Sequence, residues 1–180
     1  MRRAGRTLLL ALALAASAAG AQRPPAAASP EAPRSPFEQL LDDHWRWYLR
    51  DRPVLATTLG ERAYDRELGD LTVAAMDRRA REAAGFLTRL DALDTTALSA
   101  TERVTRAILR RDLAESVEEN RFGQRTVLFT TYSSWHTSFA DLPDRHPFRE
   151  RADYEAYVAR LNAYPRYNRG AIETTRAARL

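Results

Sequence analysis

Apolar residues recur three and four positions apart along much of the chain, which is the spacing of amphipathic helices. The first such segment follows Ser35, where Pro36 suits the first helical position and Glu38 completes a capping box. Pro53 ends this helix, and residues 53–60 predict a short second helix or turn. The buried face of the first helix is predicted to hold Phe37, Leu40, Leu41, His44, Trp45, Tyr48 and Leu49, and to leave Trp47 free to contact another segment.

Two longer segments predict an antiparallel helix hairpin. The first covers residues 72–93, and residues 94–98 form the turn. Ser99 and Glu102 then make a second capping box, opening a helix that Gly123 should terminate. The faces that these helices bury against each other are predicted to be Met76, Ala80, Ala83, Leu87, Leu90 and Leu93 on the first and Ile108, Leu109, Leu113 and Val117 on the second.

The last third of the chain has a less regular pattern. Residues 124–148 lose the helical spacing and predict an irregular loop with one extended stretch. A helical pattern returns with Asp153 as its N-cap, and Pro165 predicts the start of a separate last helix. The buried face of the penultimate helix is predicted to be Tyr154, Tyr157, Val158 and Leu161.

The pattern as a whole predicts an all-α fold, a multi-helix array built on the long hairpin. No stop signal follows the last helical segment before Leu180. We therefore expect residues 35–180 to be an incomplete amino-terminal lobe of a larger helical fold. Such a lobe would expose apolar surface at Tyr157, Tyr167 and Ile172.

The amino-terminal residues have the pattern of a secretory signal peptide. Residues 1–6 carry three arginines and no acid, residues 7–19 are apolar, and Ala19-Gly20-Ala21 suits a signal peptidase. The apolar run is shorter than the ~20 residues that span a bilayer, so no membrane anchor is expected after cleavage. Residues 1–21 thus predict export to the periplasm or the extracellular space, and the Ala- and Pro-rich residues 22–34 predict a disordered spacer.

Removal of the signal peptide also changes the charge of the protein. The chain has 28 basic and 24 acidic residues, and the signal peptide holds three of the basic ones, so 25 basic residues face 24 acidic ones in the mature protein. This balance leaves no basic excess to neutralise phosphates and excludes nucleic acid as a partner. The chain also has no cysteine, so packing alone must hold an exported fold together.

The polar residues do not form a recognisable catalytic pattern. Zinc hydrolases use three nitrogen or carboxylate ligands and one open position, and His44, His136 and His146 include no pair at helical ligand spacing. Ser133 and Ser134 lack the strand, sharp turn and helix that expose a nucleophilic serine. The sequence predicts no catalytic, cofactor-binding or metal-binding residue in this chain, and a semi-buried, hydrogen-bonded role for His44.

Three segments resemble a known family, the bacterial proteins that contain the domain of unknown function 885. They are FEQLLDDHWRWYL at residues 37–49, PVLATTLG at residues 53–60 and DYEAYVARL at residues 153–161, the last followed by Tyr164-Pro165. The resemblance implies a longer, mostly helical and often exported protein that is similar to zinc metallopeptidases through a His-Glu-x-x-x-x-His type motif in its carboxy-terminal half. No segment of this chain matches that motif. By resemblance, zinc is expected in full-length members and not in this chain.

Two hypotheses of function follow, with a third in reserve. In the first, the chain is the amino-terminal lobe of an exported metallopeptidase-like hydrolase, and its partner is the missing carboxy-terminal half or a peptide-like ligand. In the second, it is a non-catalytic periplasmic binding module that holds its partner with residues 124–148. The third is a truncated reading frame without activity of its own. The coding sequence beyond Leu180 would distinguish them.

Overall fold

The structure, a computed structural model, describes residues 34–178. The predicted signal peptide and all but the last residue of the predicted spacer lie outside the described residues. Regular structure within residues 34–178 is helical, apart from a single antiparallel β-bridge between Phe129 and Ser134, which confirms the predicted all-α fold. The helices are α1 (Pro36–Arg50), α2 (Pro53–Thr58), α3 (Val73–Asp91), α4 (Ala100–Arg121), α5 (Trp135–Ala140) and α6 (Arg151–Ala177). None of these described helices combines the length and the apolar character that a membrane span requires.

The predicted capping boxes are present at the starts of α1 and α4. In α1, the Ser35 hydroxyl accepts from the Glu38 N–H at 3.1 Å, and the Glu38 carboxylate accepts from the Ser35 N–H at 2.7 Å. In α4, Ser99 and Glu102 exchange the same two bonds. These bonds occupy N–H groups that have no partner inside the helix, so the local sequence fixes where each helix begins.

Helices α3 and α4 form the predicted antiparallel hairpin. Arg110 in the middle of α4 binds Asp91 at the end of α3, with 2.8 Å between Nε and Oδ1. At the other end, Asn120 of α4 donates to Asp77 of α3 at 3.3 Å. Helix α1 packs on this hairpin. The buried residues between them, which we call the apolar core, are Phe37, Leu40, Ala83, Leu90, Leu98, Leu109 and Leu113.

The buried face of α1 is displaced from the predicted one. Trp45 is 49% exposed, whereas Trp47 packs against the apolar core and its Nε1–H donates to Glu82 of α3 at 2.6 Å. The line that faces the hairpin runs through Phe37, Leu40, His44 and Trp47, and Trp45 lies on the next line around the helix. The prediction that Trp45 is buried was therefore wrong. The predicted contact of Trp47 with another segment is present, and that segment is α3.

A similar correction applies to α4. Leu109 and Leu113 are buried as predicted. In contrast, Ile108 is 56% exposed, and Val104, one turn before it, is 60% exposed. Glu102 and Arg106, four positions apart on α4, do not pair, because the Glu102 carboxylate is held by Ser99 and Arg106 reaches the Leu90 carbonyl at 3.1 Å. The side of α4 that meets α3 is thus narrower than its apolar pattern suggests.

Helix α6 runs without interruption from Arg151 to Ala177, where the pattern predicted two helices. Its N-cap is Glu150, and Asp153 occupies the third helical position of a capping box. Pro165 lies inside the helix and cannot bond to the carbonyl of Leu161, whose side chain is 41% exposed. The helix continues because both halves, before and after the proline, are packed against other segments.

The face of α6 that is buried also differs from the prediction. Tyr154, Val158 and Leu161 are exposed, whereas the buried positions are mostly small or polar: Asp153, Ala156, Arg160, Gly170, Ala171 and Thr174. The expectation of exposure at Tyr157, Tyr167 and Ile172 was wrong as well, since all three are half-buried. Small residues let α6 lie close to residues 71–72, just before α3. A Cβ on Gly170 would lie 3.1 Å from Thr72 Cγ2.

Residues 124–148 are largely irregular, as predicted, but they contain a six-residue helix that the pattern missed. Ser134 and Thr137 cap α5 through reciprocal side-chain bonds, using threonine where the usual capping box has an acid or amide. Trp135 donates to Asn168 of α6 at 2.8 Å, and the Phe139 ring stacks on Tyr164 with centroids 3.9 Å apart. These contacts hold α5 against α6.

Candidate functional site

Arg160 is fully buried beneath α6 and is the centre of a hydrogen-bonded cluster. Together with Thr57, Asp65, His146 and Asp153 it forms what we call the polar core, all of whose members are buried. The guanidinium donates to the Glu67 carbonyl at 2.8 Å, the Pro53 carbonyl at 3.1 Å, the Tyr64 carbonyl at 3.2 Å, Thr57 Oγ1 at 2.7 Å and His146 Nδ1 at 3.0 Å. One side chain thereby joins α6 to α2 and to the loop after it.

The bonds around His146 determine its protonation state. Nδ1 accepts from Arg160, and Nε2 lies 2.8 Å from the Asp153 carbonyl oxygen. Because a carbonyl only accepts, Nε2 must carry the proton, and the ring is the neutral Nε2–H tautomer. Both ring nitrogens are occupied, so this histidine offers neither a free lone pair for a metal nor a base for a substrate.

Asp153 is the buried anion of the polar core. Arg62 binds its carboxylate, and the N–H groups of Arg149 and Glu150 donate to it at 2.7 Å and 3.1 Å. These bonds, that from Arg62 above all, lower the pKa of Asp153 to about 2, so the carboxylate is ionised. Burial lowers the pKa of Arg160, and the nearby charge of Asp65 opposes this effect. The polar core is a satisfied network, which fits a structural role.

Two cavities flank residues 68–70, outside the polar core. The first has a volume of about 290 Å³ and lies between α2, α5 and the turn Leu142–Arg145. The second has a volume of about 670 Å³ and lies between the end of α1, α3 and α6. Five residues line both cavities: Asp51, Leu68, Gly69, Asp70 and Tyr167. Gly69 has a φ of 85°, a left-handed conformation that favours glycine in this shared wall.

The first cavity combines an apolar wall with arginines of two kinds. Arg79 is neutralised, because it binds Asp51 at 3.2 Å and also donates to the Asp70 carbonyl. Arg52 and Arg145 line the same cavity and form no ion pair with a carboxylate within residues 34–178. The apolar lining consists of Pro53, Val54, Leu55, Leu68, Leu71, Phe139 and Leu142. This arrangement can hold an anion that has an apolar body.

The zinc implied by the family resemblance does not fit the histidines of this chain. His44 packs among the rings of Trp47, Tyr48 and Phe86, and burial lowers its pKa, with the charge of Arg52 acting in the same direction. It is semi-buried as predicted, but its contacts are aromatic rings instead of hydrogen-bond partners. Within the part of the chain that the structure describes, no three histidine, aspartate or glutamate residues are placed to hold a metal ion.

His136 and the nearby serines form no nucleophilic site. Ser134 Oγ lies 3.3 Å from His136 Nε2, but the same hydroxyl caps α5 through Thr137. Ser133 contacts Thr130 in the turn before α5. That no residue of this chain is catalytic remains a prediction.

The polar core and the two arginines of the first cavity that form no ion pair within residues 34–178 were missed at the sequence level. Arg160 stands among apolar residues in the helical pattern, and this is the only local signal that it could be buried. Arg52 and Arg145 are far apart in the chain and belong to no short motif. Only the fold brings them to one cavity.

Comparison with known proteins identifies the family of the chain. No curated protein matches the chain. The family model described as bacterial protein of unknown function (DUF885) matches residues 53–179, a range that includes two of the three segments on which the resemblance rests. Since this match covers more than half of the sequence, the chain belongs to the DUF885 family of bacterial proteins.

Proposed function

We propose that this chain is the substrate-holding helical lobe of an exported, metallopeptidase-like hydrolase whose zinc ligands lie outside it. The observation that carries this proposal is the first cavity, where an apolar wall meets Arg52 and Arg145. A lobe of this kind binds and orients a peptide-like ligand, while residues elsewhere in the protein perform the chemistry. The metallopeptidase likeness itself rests on the family resemblance.

The dimensions of the two cavities support a role in holding a ligand. The first, at about 290 Å³, is near the lower end of the range for small-molecule sites. The second, at about 670 Å³, adjoins it at Leu68 and Tyr167 and is lined by charged residues of both signs. A peptide-like ligand could place an apolar terminal group in the first cavity and its polar backbone along the second.

The alternative is a non-catalytic periplasmic binding module. One observation favours it: Ser138, Phe139 and Leu142, from the segment that was predicted to hold a partner, line the first cavity. In this case the same cavity binds a ligand and no hydrolysis follows. The two functions differ in chemistry and share the binding step.

The coding sequence downstream of Leu180 provides the test. The gene should be expressed to its own stop codon and, separately, as residues 1–180, with both proteins purified from the exported fraction. We expect the longer protein to contain zinc and to hydrolyse peptides in a chelator-sensitive manner, and the 180-residue chain to do neither. Stoichiometric zinc or hydrolysis in the 180-residue chain would contradict the proposal. A stop codon directly after Leu180 would favour the binding module or the truncated reading frame.

The same preparations test export. Cleavage after Ala21 predicts that amino-terminal sequencing of the exported protein begins at Gln22. Exported protein that retains Met1 would show that residues 1–21 are not a cleaved signal peptide.

A further inference from the structure

We infer that the first cavity is a binding site for an apolar monocarboxylate, whose carboxylate is held by Arg52 and Arg145 and whose body lies against Leu55, Leu68 and Phe139. This inference rests on the proposed function for the use of the cavity as a ligand site, and it names the class of ligand. It does not depend on hydrolysis.

The charge of the cavity favours an anion. Of its three arginines, Arg79 is paired with Asp51, and Asp51 is further neutralised by Arg78 at 2.9 Å. The carboxylate of Asp70 accepts from the Thr72 N–H at 2.9 Å and lies near Arg79 and Arg166. The acids of the lining are thus already engaged with protein groups. Arg52 and Arg145 are left to attract a ligand of opposite charge.

Arg52 is also oriented before a ligand arrives. Its guanidinium carbon lies 3.7 Å from the centre of the Tyr48 ring, and one Nη donates to the Tyr48 carbonyl at 3.4 Å. Stacking on an aromatic ring restricts the side chain while leaving other N–H groups of the guanidinium available. A planar carboxylate matches these donors better than a spherical ion does, since it can accept two parallel bonds.

The wall of the cavity favours an apolar body behind the carboxylate. Leu142 is almost fully buried and the Phe139 ring stacks on Tyr164, so packing holds both residues of this wall in place. Ser138 and Tyr167 also line the cavity. Burial raises the pKa of the Tyr167 hydroxyl, which keeps the phenol protonated and able to donate a hydrogen bond. A ligand with one charged end and an apolar remainder satisfies both parts of the lining.

The volume of the cavity suits a small ligand. At about 290 Å³ it lies near the lower end of the range for small-molecule sites. A single apolar amino-acid residue with a free carboxylate suits this volume, and so does a medium-chain aliphatic acid. The first would come from the carboxy terminus of a peptide and the second from a free acid, and the shared chemistry is the apolar monocarboxylate.

The test is an NMR titration of the isotope-labelled, exported 180-residue chain with N-acetyl-L-phenylalanine, its carboxamide N-acetyl-L-phenylalaninamide, and octanoate. We expect at least one acid to bind with a Kd of about 1 mM or below. The carboxamide should bind about tenfold more weakly than N-acetyl-L-phenylalanine, because a charge-assisted bond is lost. Stronger binding of the amino-acid derivative would identify a peptide terminus as the source, and stronger binding of octanoate a free acid.

Three variants connect the binding to the arginines. Arg52→Gln and Arg145→Gln should each weaken binding of the acid about tenfold and abolish most of the preference over the carboxamide. Arg81→Gln is the matched control, because Arg81 is an exposed arginine of α3 that lines none of the cavities described above. All three variants should keep the thermal midpoint of the parent, which separates lost binding from lost folding.

The inference would be overturned by equal binding of acid and carboxamide, by equal weakening in Arg81→Gln, or by no binding of either acid at about 10 mM. The proposed function fails separately. Carboxylate binding without peptidase activity in the longer protein would sustain this inference and favour the binding module. Peptidase activity of the longer protein with unchanged kinetics in Arg52→Gln and Arg145→Gln would sustain the hydrolase assignment and contradict this inference.

Discussion

Helices α3 and α6 are both long and amphipathic, yet they bury opposite kinds of residue. The inner side of α3 presents Ala83 and Leu90 to the apolar core. The inner side of α6 presents Asp153 and Arg160 to the polar core, while its apolar residues Tyr154 and Val158 face outward. In these two helices, the apolar stripe is the buried face where the neighbouring segments are apolar, and it is the exposed face where the neighbouring segments offer polar partners.

The two cores also differ in how they stabilise the chain. Apolar burial is non-directional, and each buried leucine contributes about 1.5–3 kcal/mol whatever its orientation. A buried guanidinium contributes only if its bonds compensate for the water it has lost, so its net effect is small while its loss is costly. The apolar core should therefore tolerate changes of similar shape, whereas the polar core should depend on each bond.

The largest effect is expected from Arg160→Met. This substitution keeps an unbranched side chain but leaves three carbonyls and Thr57 without the donor that now binds them. We expect the free energy of unfolding to fall by about 3–5 kcal/mol, measured by urea denaturation. Arg166→Met on the exposed side of the same helix is the control and should change it by less than about 0.5 kcal/mol. Equal stability of Arg160→Met and the parent would show that the polar core is dispensable.

The next effect is expected in the apolar core. Leu90 is fully buried between α3 and α4, so Leu90→Ala removes apolar contacts and leaves a cavity. The expected loss is about 3 kcal/mol in the same denaturation experiment. Ile108→Ala on α4 is the informative control, because the periodicity predicted burial and the structure shows 56% exposure. A loss at Ile108 as large as that at Leu90 would restore the original assignment of the α4 face.

The predictability of each region follows from the distance between interacting residues in the chain. Capping boxes at Ser35 and Ser99 join residues three positions apart, and the sequence alone identified both. The α1 face was displaced because Trp45 and Trp47 are equally apolar, and only the position of Glu82 and Phe86 on α3 decides between them. Predicting which of the two tryptophans is buried therefore requires the position of the partner helix.

The polar core and the first cavity could not be predicted because they join residues that are still farther apart in the chain. Arg160 binds groups 93 to 107 positions earlier in the chain. Arg52 and Arg145 reach one cavity from separate elements. The continuation of α6 through Pro165 depends in the same way on packing, because Arg160 before the proline and Ala171 after it are buried and offset the one bond that the proline removes.

A smaller effect on stability is expected when the pH is lowered. The folded-state pKa of Asp153 is about 2, below its ordinary value of 3.8, so its carboxylate stabilises the fold fully above pH 3.8. That contribution is lost as the pH falls through the folded-state pKa. The amide of the Asp153→Asn variant does not titrate. The urea midpoint of this variant should be lower than that of the parent at pH 5, and the difference should shrink as the pH falls to 2. A constant difference across this range would mean that Asp153 is not held as a charged partner of Arg62.

The smallest effect compares one substitution in the two regions, namely glycine to alanine in α3 and in α6. Gly85 lies in α3 with open space around the position that a Cβ would take, so Gly85→Ala should raise the free energy of unfolding by about 1 kcal/mol through helix propensity alone. At Gly170 the new methyl would lie 3.1 Å from Thr72 Cγ2 and 3.5 Å from the Thr72 nitrogen. There the same propensity gain is opposed by crowding, and Gly170→Ala should gain less than Gly85→Ala or lose stability. Thermal and urea unfolding of both variants beside the parent measure the difference. Equal gains would mean that α6 does not approach residues 71–72 closely at Gly170. Close packing would then not distinguish α6 from α3.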